Sequence, residues 1–298
     1  MDRTAYISFS GVPVPKRKPR ASTASASAFR AAAESSEPIA PFIEWVFQRS
    51  NLDASIYRPS SLNRRQNACL RRLRASSSEV AQKLIESRPE LLNTALDVLL
   101  LGVSDFFRDT AVFEQLRQTI LPGLLQRAER LSVCSVGVSE GHELYSVAMM
   151  LAEAGALERS ELLGIDCRPY AIARARTGWY TERDIAGVSD ELRSRYFERK
   201  RDGWVVNIEL RERIQWSVKN VLNLDRIEQY DMILFRNLAL YLAPTVAHCA
   251  WSRVCGELKS DGMLVCGKAD KPPASLSLMR VSPCIYKKLC AREPYDYC

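Results

Sequence analysis

The chain has 298 residues, 47% of them hydrophobic and 26% charged, which is enough apolar material to bury a large core in one domain or two. Its nine cysteines are scattered and form no C-x-x-C pair, so neither a zinc ribbon nor a dithiol redox centre is signalled, and reduced thiols in a cytoplasmic protein are expected. A net charge of +7 and a pI near 9.0 suit an acidic partner. No apolar run approaches the roughly 18 residues of a membrane span, and the first residues lack the apolar centre of a secretory signal.

Residues 1–37, rich in Pro, Ser, Ala and Lys/Arg, hold too few large apolar groups to offset the entropy of ordering and are expected to be a disordered basic tail. An organelle transit peptide shares this composition, but the neighbouring prolines oppose an amphipathic helix. From "PFIEWVFQRS" to "ALDVLLL" the apolar spacing is helical, with breaks at Pro59 and at Arg88-Pro89, which predicts a helical N-terminal domain over 38–105. Residues 106–298 then alternate. The runs "LSVCSVGV", "ELLGID", "YDMILFRN" and "GMLVCGKA" read as buried strands separated by helical stretches, the order of a parallel sheet with crossover helices. The segment 195–220, with its "RDG" turn, reads as a small antiparallel β insertion, and "CIYKKL" as a strand returning along the sheet edge. The predicted fold class is α/β, Rossmann-like and doubly wound.

In such a sheet ligands sit beyond the carboxyl ends of the strands, which directs attention to the loops after "LSVCSVGV", "ELLGID" and "YDMILFRN". The first loop, Gly137-Val138-Ser139-Glu140-Gly141, matches the G-x-S-x-G turn of a hydrolase nucleophile. A hydrolase also needs a histidine late in the chain, yet the two present are His142, one turn from the serine, and His248 within a helical pattern. The dinucleotide fingerprint fails as well, since it requires glycine at positions 139 and 142. What remains is a small-residue turn opening a helix, followed about 25 residues later by Asp166 at a strand end, where an acid can accept both hydroxyls of a ribose. Glu143 in the first helical turn suits a cationic amino group. Taken singly, each acid could be a helix-terminus charge; together they match the ribose and methionine parts of S-adenosylmethionine.

At this point the chain resembles a known family, the chemotaxis-receptor (MCP) glutamate O-methyltransferases of CheR type. The resemblance covers residues 42 to 289 through "SDFFRDTAVFEQLRQTILP", "GVSEGHELYSVAMML", "GIDCRPYAIARARTGWY", "VKNVL", "YDMILFRNLALYL" and "DGMLVCG". It implies a class I S-adenosylmethionine-dependent methyltransferase fold, with a small helical domain and an inserted β-subdomain contributing to receptor contact. It implies cofactor contacts at Ser104, Arg108, Gly137, Glu143, Asp166, Asn220, Val221, Phe235 and Arg236, with Arg108 and Tyr241 beside the reacting centre, and S-adenosylhomocysteine as product. No metal is implied. Three departures stand out: Gly102-Val103-Ser104 replaces Asn-x-Thr, His142 replaces the first of two adjacent acids, and Lys268 and Asp270 lie in a segment that is usually G-x-S-E.

The chemistry suits these residues, because a glutamate carboxylate is ionised at pH 7 and needs no general base before attacking a methyl group. In "SLNRRQNACLRRLR", drawn at about 100° per residue, Leu62, Cys69 and Leu73 form an apolar stripe, with Arg64 and Arg71 opposite it and Arg65 and Arg72 on its flanks. The resemblance implies that this basic helix docks on the cytoplasmic acidic helical bundle of a methyl-accepting chemoreceptor. Nucleic acid fits poorly, since no aromatic residues interleave with the arginines, and membrane insertion is not expected. The competing readings are a catalytically weakened cofactor-binding regulator, and a methyltransferase for another acidic protein or a small molecule.

Overall fold

The computed structural model describes residues 37–101, 104–224 and 229–290; the expected disordered tail, apart from Glu37, lies outside the described residues, as do Gly102 and Val103. Four helices open the described chain: α1 (Pro41–Arg49), α2 (Pro59–Leu73), α3 (Ser78–Ser87) and α4 (Leu91–Leu99). Pro59, expected as a break, instead opens α2, because a first-turn residue has no intrahelical use for its N–H. Ser77 caps α3 by accepting from Val80 N. The stripe of Leu62, Cys69 and Leu73 is buried, packed in one cluster with Phe42, Ile43, Val46 and Phe47 of α1 and Leu96 and Leu99 of α4.

That cluster does not stop at the helices. It continues into Cys134, Val136, Ile233 and Phe235 of the sheet and Trp251 of the last helix, so the helical segment shares one apolar core with a face of the sheet. The link is also polar. Tyr57 bridges Leu242, Arg58 N donates to Tyr241 O at 2.9 Å, and Ala243 N donates to Ile56 O at 2.8 Å.

After α5 (Thr110–Gln115), a π turn and α6 (Leu121–Arg127), the sheet begins. Its strands are β1 (Leu131–Val136), β2 (Ser160–Asp166), β6 (Ile214–Val218), β7 (Tyr230–Phe235), β8 (Leu258–Cys266), β9 (Leu278–Ser282) and β10 (Ile285–Lys288), in spatial order β6-β2-β1-β7-β8-β10-β9. β6, β2, β1, β7 and β8 are parallel, while β10 runs antiparallel to both neighbours. Helices α7 (His142–Glu153), α8 (Pro169–Thr177) and α11 (Pro244–Glu257) cross between strands, and the chain order reverses between β1 and β7. That reversal opens the crevice where ligands bind.

Two expectations are corrected. The run Ile214–Val218 belongs to the main sheet, parallel to β2, and not to the insertion. Trp216 explains the choice: its ring lies where a Cβ on Gly164 or Gly141 would stand, 2.5 and 2.7 Å away, so those glycines admit the indole and lock β6 against β2. The small antiparallel sheet is instead β3 (Trp179–Tyr180), β5 (Gly203–Val206) and β4 (Phe197–Lys200), with α9 (Asp190–Tyr196) before it and α10 (Ile208–Glu212) after it. The returning strand β10 is also not at the edge, since β9 pairs outside it.

Candidate active site

The carboxyl ends of β1, β2 and β7 open on a cavity of about 280 Å³, closed on the other side by Ile56, Tyr57, Arg65, Leu100 and Leu101 of the helical segment. Backbone strain gathers here. Leu101, Ser139 and Asn237 line the cavity with φ of 47°, 53° and 56°, and Phe107 and Asp109, on either side of Arg108, have φ of 52° and 62°. Such conformations cost on the order of 1–3 kcal/mol each and persist where the surroundings impose them.

Eight of the nine expected cofactor residues line the cavity, namely Ser104, Arg108, Gly137, Glu143, Asp166, Asn220, Val221 and Arg236, and Tyr241 joins them. Phe235 does not. Its ring is fully buried and packs edge-on against Trp251 at 4.7 Å, on the covered face of the sheet. The lining residue from that turn is Asn237, two positions on, which sequence reasoning passed over. Asp270, one of the noted departures, explains its placement: the buried carboxylate accepts from the backbone N–H groups of Asn237, Gly267 and Leu240, and so secures the turn carrying Tyr241.

The "FFRD" segment is anchored by its rings. Phe106 packs against His142, Tyr180 and Phe197 at 4.9, 4.8 and 5.3 Å, and Phe107 against Phe113 at 5.5 Å. Phe107 N donates to Ser146 Oγ at 3.0 Å, fixing the turn to α7. Asp109 pairs with Arg236 at 2.8 Å and with Lys268 at 2.9 Å, giving Lys268, like Asp270, a structural task. Burial pushes the Asp109 carboxyl up, but Lys268 and Arg236 outweigh it and hold it below its usual value. Arg236 also donates to Glu143 Oε2 at 2.7 Å, and Ser135 Oγ donates to Glu143 Oε1 at 2.9 Å. Glu143 is therefore held rigidly, with lone pairs remaining on both oxygens for an ammonium group.

Asp166, at the end of β2, is 6% exposed. Its Oδ2 accepts from Ser139 N at 2.9 Å and its Oδ1 from Arg168 N at 2.9 Å. Asn220 Oδ1 accepts from Leu222 N at 3.0 Å and shapes the facing turn. Two acids, Asp166 and Glu143, and a glycine at positive φ, Gly137, line the same cavity and supply the acceptors and the close backbone approach that a ribose and an amino acid require. The residues fit S-adenosylmethionine. Among the described residues no cluster suited to a metal ion occurs.

Arg65 is relocated relative to expectation. It lines the cavity, donates to Leu99 O at 2.6 Å and places its guanidinium 4.4 Å from the Tyr241 ring centroid, whereas Arg64, Arg71 and Arg72 are exposed. Ser139 Oγ accepts from Arg168 Nη2 at 3.1 Å, and neither nitrogen of His142 has a hydrogen-bond partner, so His142 is not the base that a serine nucleophile needs. The nucleophile reading falls.

His142 itself is 3% exposed against Phe106 and Tyr180, and burial pushes its pKa down to about 4. Because the folded value lies below the unfolded value near 6.5, the stabilisation is complete above pH 6.5 and is lost as pH falls towards 4, by about 3 kcal/mol. Denaturation of the parent and of His142→Leu across this window checks it: the parent is expected to lose about that much more stability than the variant.

Residues 102–284 match the family model described as "CheR methyltransferase, SAM binding domain". Over 240 residues the chain is 25% identical to the chemotaxis protein methyltransferase of Listeria monocytogenes, covering 80% of this chain and 92% of that one. Over 206 residues it is 29% identical to chemotaxis protein methyltransferase 1 of Pseudomonas aeruginosa, covering 65% and 75%.

Proposed function

On the premise that this chain belongs to the CheR methyltransferase family and is an S-adenosylmethionine-dependent methyltransferase, we propose that its acceptor is a glutamate carboxylate of a chemoreceptor. The observation that carries this reading is the make-up of the cavity beside Tyr241: among the described residues its lining contains Arg65 and Arg108 and no histidine, and of its three acids Glu143 and Asp166 are engaged with arginines, leaving Asp105. An alcohol or amine acceptor would need a base. A carboxylate needs only cations to bring it in and hold it.

Bound S-adenosylmethionine supplies an electrophilic methyl group on a sulfonium. The chain's own residues then position and shield. Asp166 accepts a ribose hydroxyl, Glu143 the ammonium, and Arg108 with the Tyr241 hydroxyl aims the incoming carboxylate, while Leu100, Leu101 and Leu238 exclude water. Orientation of this kind is worth at most roughly 7 to 11 kcal/mol. An arginine gripping the carboxylate equally in ground and transition states adds affinity without speed, so Arg65 and Arg108 orient and do not activate.

The weakened-regulator alternative loses one of its two supports, because Lys268 and Asp270 are absorbed into the site's framework. Names of relatives in Listeria and Pseudomonas point to chemotaxis, which agrees with an acidic receptor bundle as partner. No helix among the described residues is long and apolar enough to cross a membrane.

Incubation with methyl-labelled cofactor and receptor-containing membranes is expected to label a receptor band in base-labile form; label confined to small molecules would refute the acceptor. Tyr241→Phe is expected to leave cofactor affinity within about three-fold while slowing transfer about ten-fold or more, as loss of one aligned hydrogen bond does. Equal transfer rates would remove Tyr241 from the mechanism.

A further inference from the structure

Arg168 has been given no role, yet its side chain is 7% exposed and spans two parts of the molecule. Its Nε donates to Asp166 Oδ1 at 3.1 Å, its Nη2 to Ser139 Oγ at 3.1 Å and more distantly to Asp166 Oδ2 at 3.4 Å, and its Nη1 to Asp97 Oδ1 of α4 at 2.9 Å. Arg168 lines both the main cavity and a second one of about 150 Å³ that Asp97 borders, so it forms part of the wall between them.

We propose that Arg168 is a positioning residue for the cofactor's ribose, holding Asp166 in the orientation in which its Oδ2 accepts a ribose hydroxyl, and that Asp97 of the helical segment in turn holds Arg168. The inference rests on Asp166 being the ribose acceptor. Oδ1 is taken by two donors from Arg168, its N–H and its Nε. Oδ2 has one short partner, Ser139 N, and one long one. A carboxylate has about four acceptor sites, so Oδ2 is the oxygen with capacity to spare, and a hydroxyl replacing the 3.4 Å contact leaves Nη2 still bonded to Ser139. Swinging Arg168 away would break its bonds to Asp97 and Ser139 inside a buried site, which holds the clamp in place. The planar fork of an arginine makes this geometry possible, and a lysine at 168 reaches only part of it.

The test is calorimetric binding of S-adenosylhomocysteine and of an analogue lacking the ribose hydroxyls to folded parent, Arg168→Ala, Arg168→Lys, Asp97→Asn and Asp166→Asn. Arg168→Ala is expected to weaken binding of the natural product about ten-fold or more and of the analogue less than about three-fold, since outer partners of a binding group commonly matter at that level. Arg168→Lys recovers part of the loss, and Asp97→Asn gives a smaller loss with the same ligand discrimination. Unchanged or tighter binding in Arg168→Ala, or equal losses for both ligands, overturns the proposal. Should Arg168→Ala not fold, parent-like affinity in both Arg168→Lys and Asp97→Asn overturns it. If Asp166→Asn binds like the parent, the ribose reading itself has failed; if that variant loses affinity while Arg168→Ala does not, only the positioning role has.

Discussion

Asp166→Asn is expected to raise the dissociation constant for S-adenosylmethionine by about two orders of magnitude while leaving the fold in place. Hydrogen bonds to an ionised partner contribute about 1.5–3 kcal/mol each, and the remaining acceptor site on Oδ2 takes a ribose hydroxyl. An amide keeps one acceptor and turns the other position into a donor. That donor faces either Ser139 N–H or the Arg168 guanidinium, both of which also donate, so the amide is held in a poor orientation whichever way it turns. A loss of about 2.7 kcal/mol corresponds to the stated hundred-fold. The same change removes a charge from a buried pair, but Arg168 keeps Asp97 at 2.9 Å, so the cost in stability stays below that of leaving an arginine wholly unpaired. Calorimetry on folded protein, with melting followed in parallel, separates the two effects. Parent-like affinity would take Asp166 out of the site.

Much of this site was readable in the chain because its parts obey local rules. The runs "LSVCSV" and "YDMILF" are mostly apolar and buried at every position but the second, as strands covered on both faces are, and the loops after them had to lie at one edge. Asp166 and Glu143 could be placed from their distance to those strands. What escaped was decided by packing between distant segments. Ile214–Val218 alternates between buried and exposed residues in the same way whether it pairs in a hairpin or at the edge of a parallel sheet, and only the fit of Trp216 over Gly164 distinguishes them. Arg65 sits on the flank of the α2 stripe, a position that periodicity leaves between solvent and core; the cavity rim happens to run beside that flank. Phe235 was misplaced because the family pattern marks a neighbourhood, whereas the strand ends there and the chain turns into the cavity at Asn237, through a left-handed residue. Arg168 follows Asp166 by two positions, and sequence reasoning did not single it out because its partners Asp97 and Ser139 lie on segments distant in the chain.

Reversing Arg64 and Arg71 to Glu is expected to slow receptor methylation at low salt by more than ten-fold while changing cofactor affinity less than two-fold. Both side chains are exposed on the side of α2 away from the buried Leu62, Cys69 and Leu73, so the reversal disturbs neither the core nor the cavity. Two cations become two anions against an acidic bundle, and like charges brought together across an interface cost several kcal/mol. Arg65 must be left intact in this experiment, because it belongs to the cavity and its loss would confuse docking with catalysis. Methylation by the parent should also fall as salt rises, since exposed charges are screened beyond about 8 Å at physiological ionic strength. Trp204 on β5, with Arg193 and Arg199 over its ring at 5.3 and 4.9 Å, would offer a docked receptor a second contact of mixed aromatic and cationic character, so some residual methylation at low salt is compatible with docking through α2. A double variant that methylates receptor membranes as fast as the parent at low salt would sink the docking proposal, and with Asp166 and Tyr241 still required it would shift the acceptor to a small molecule that reaches the cavity without the basic helix.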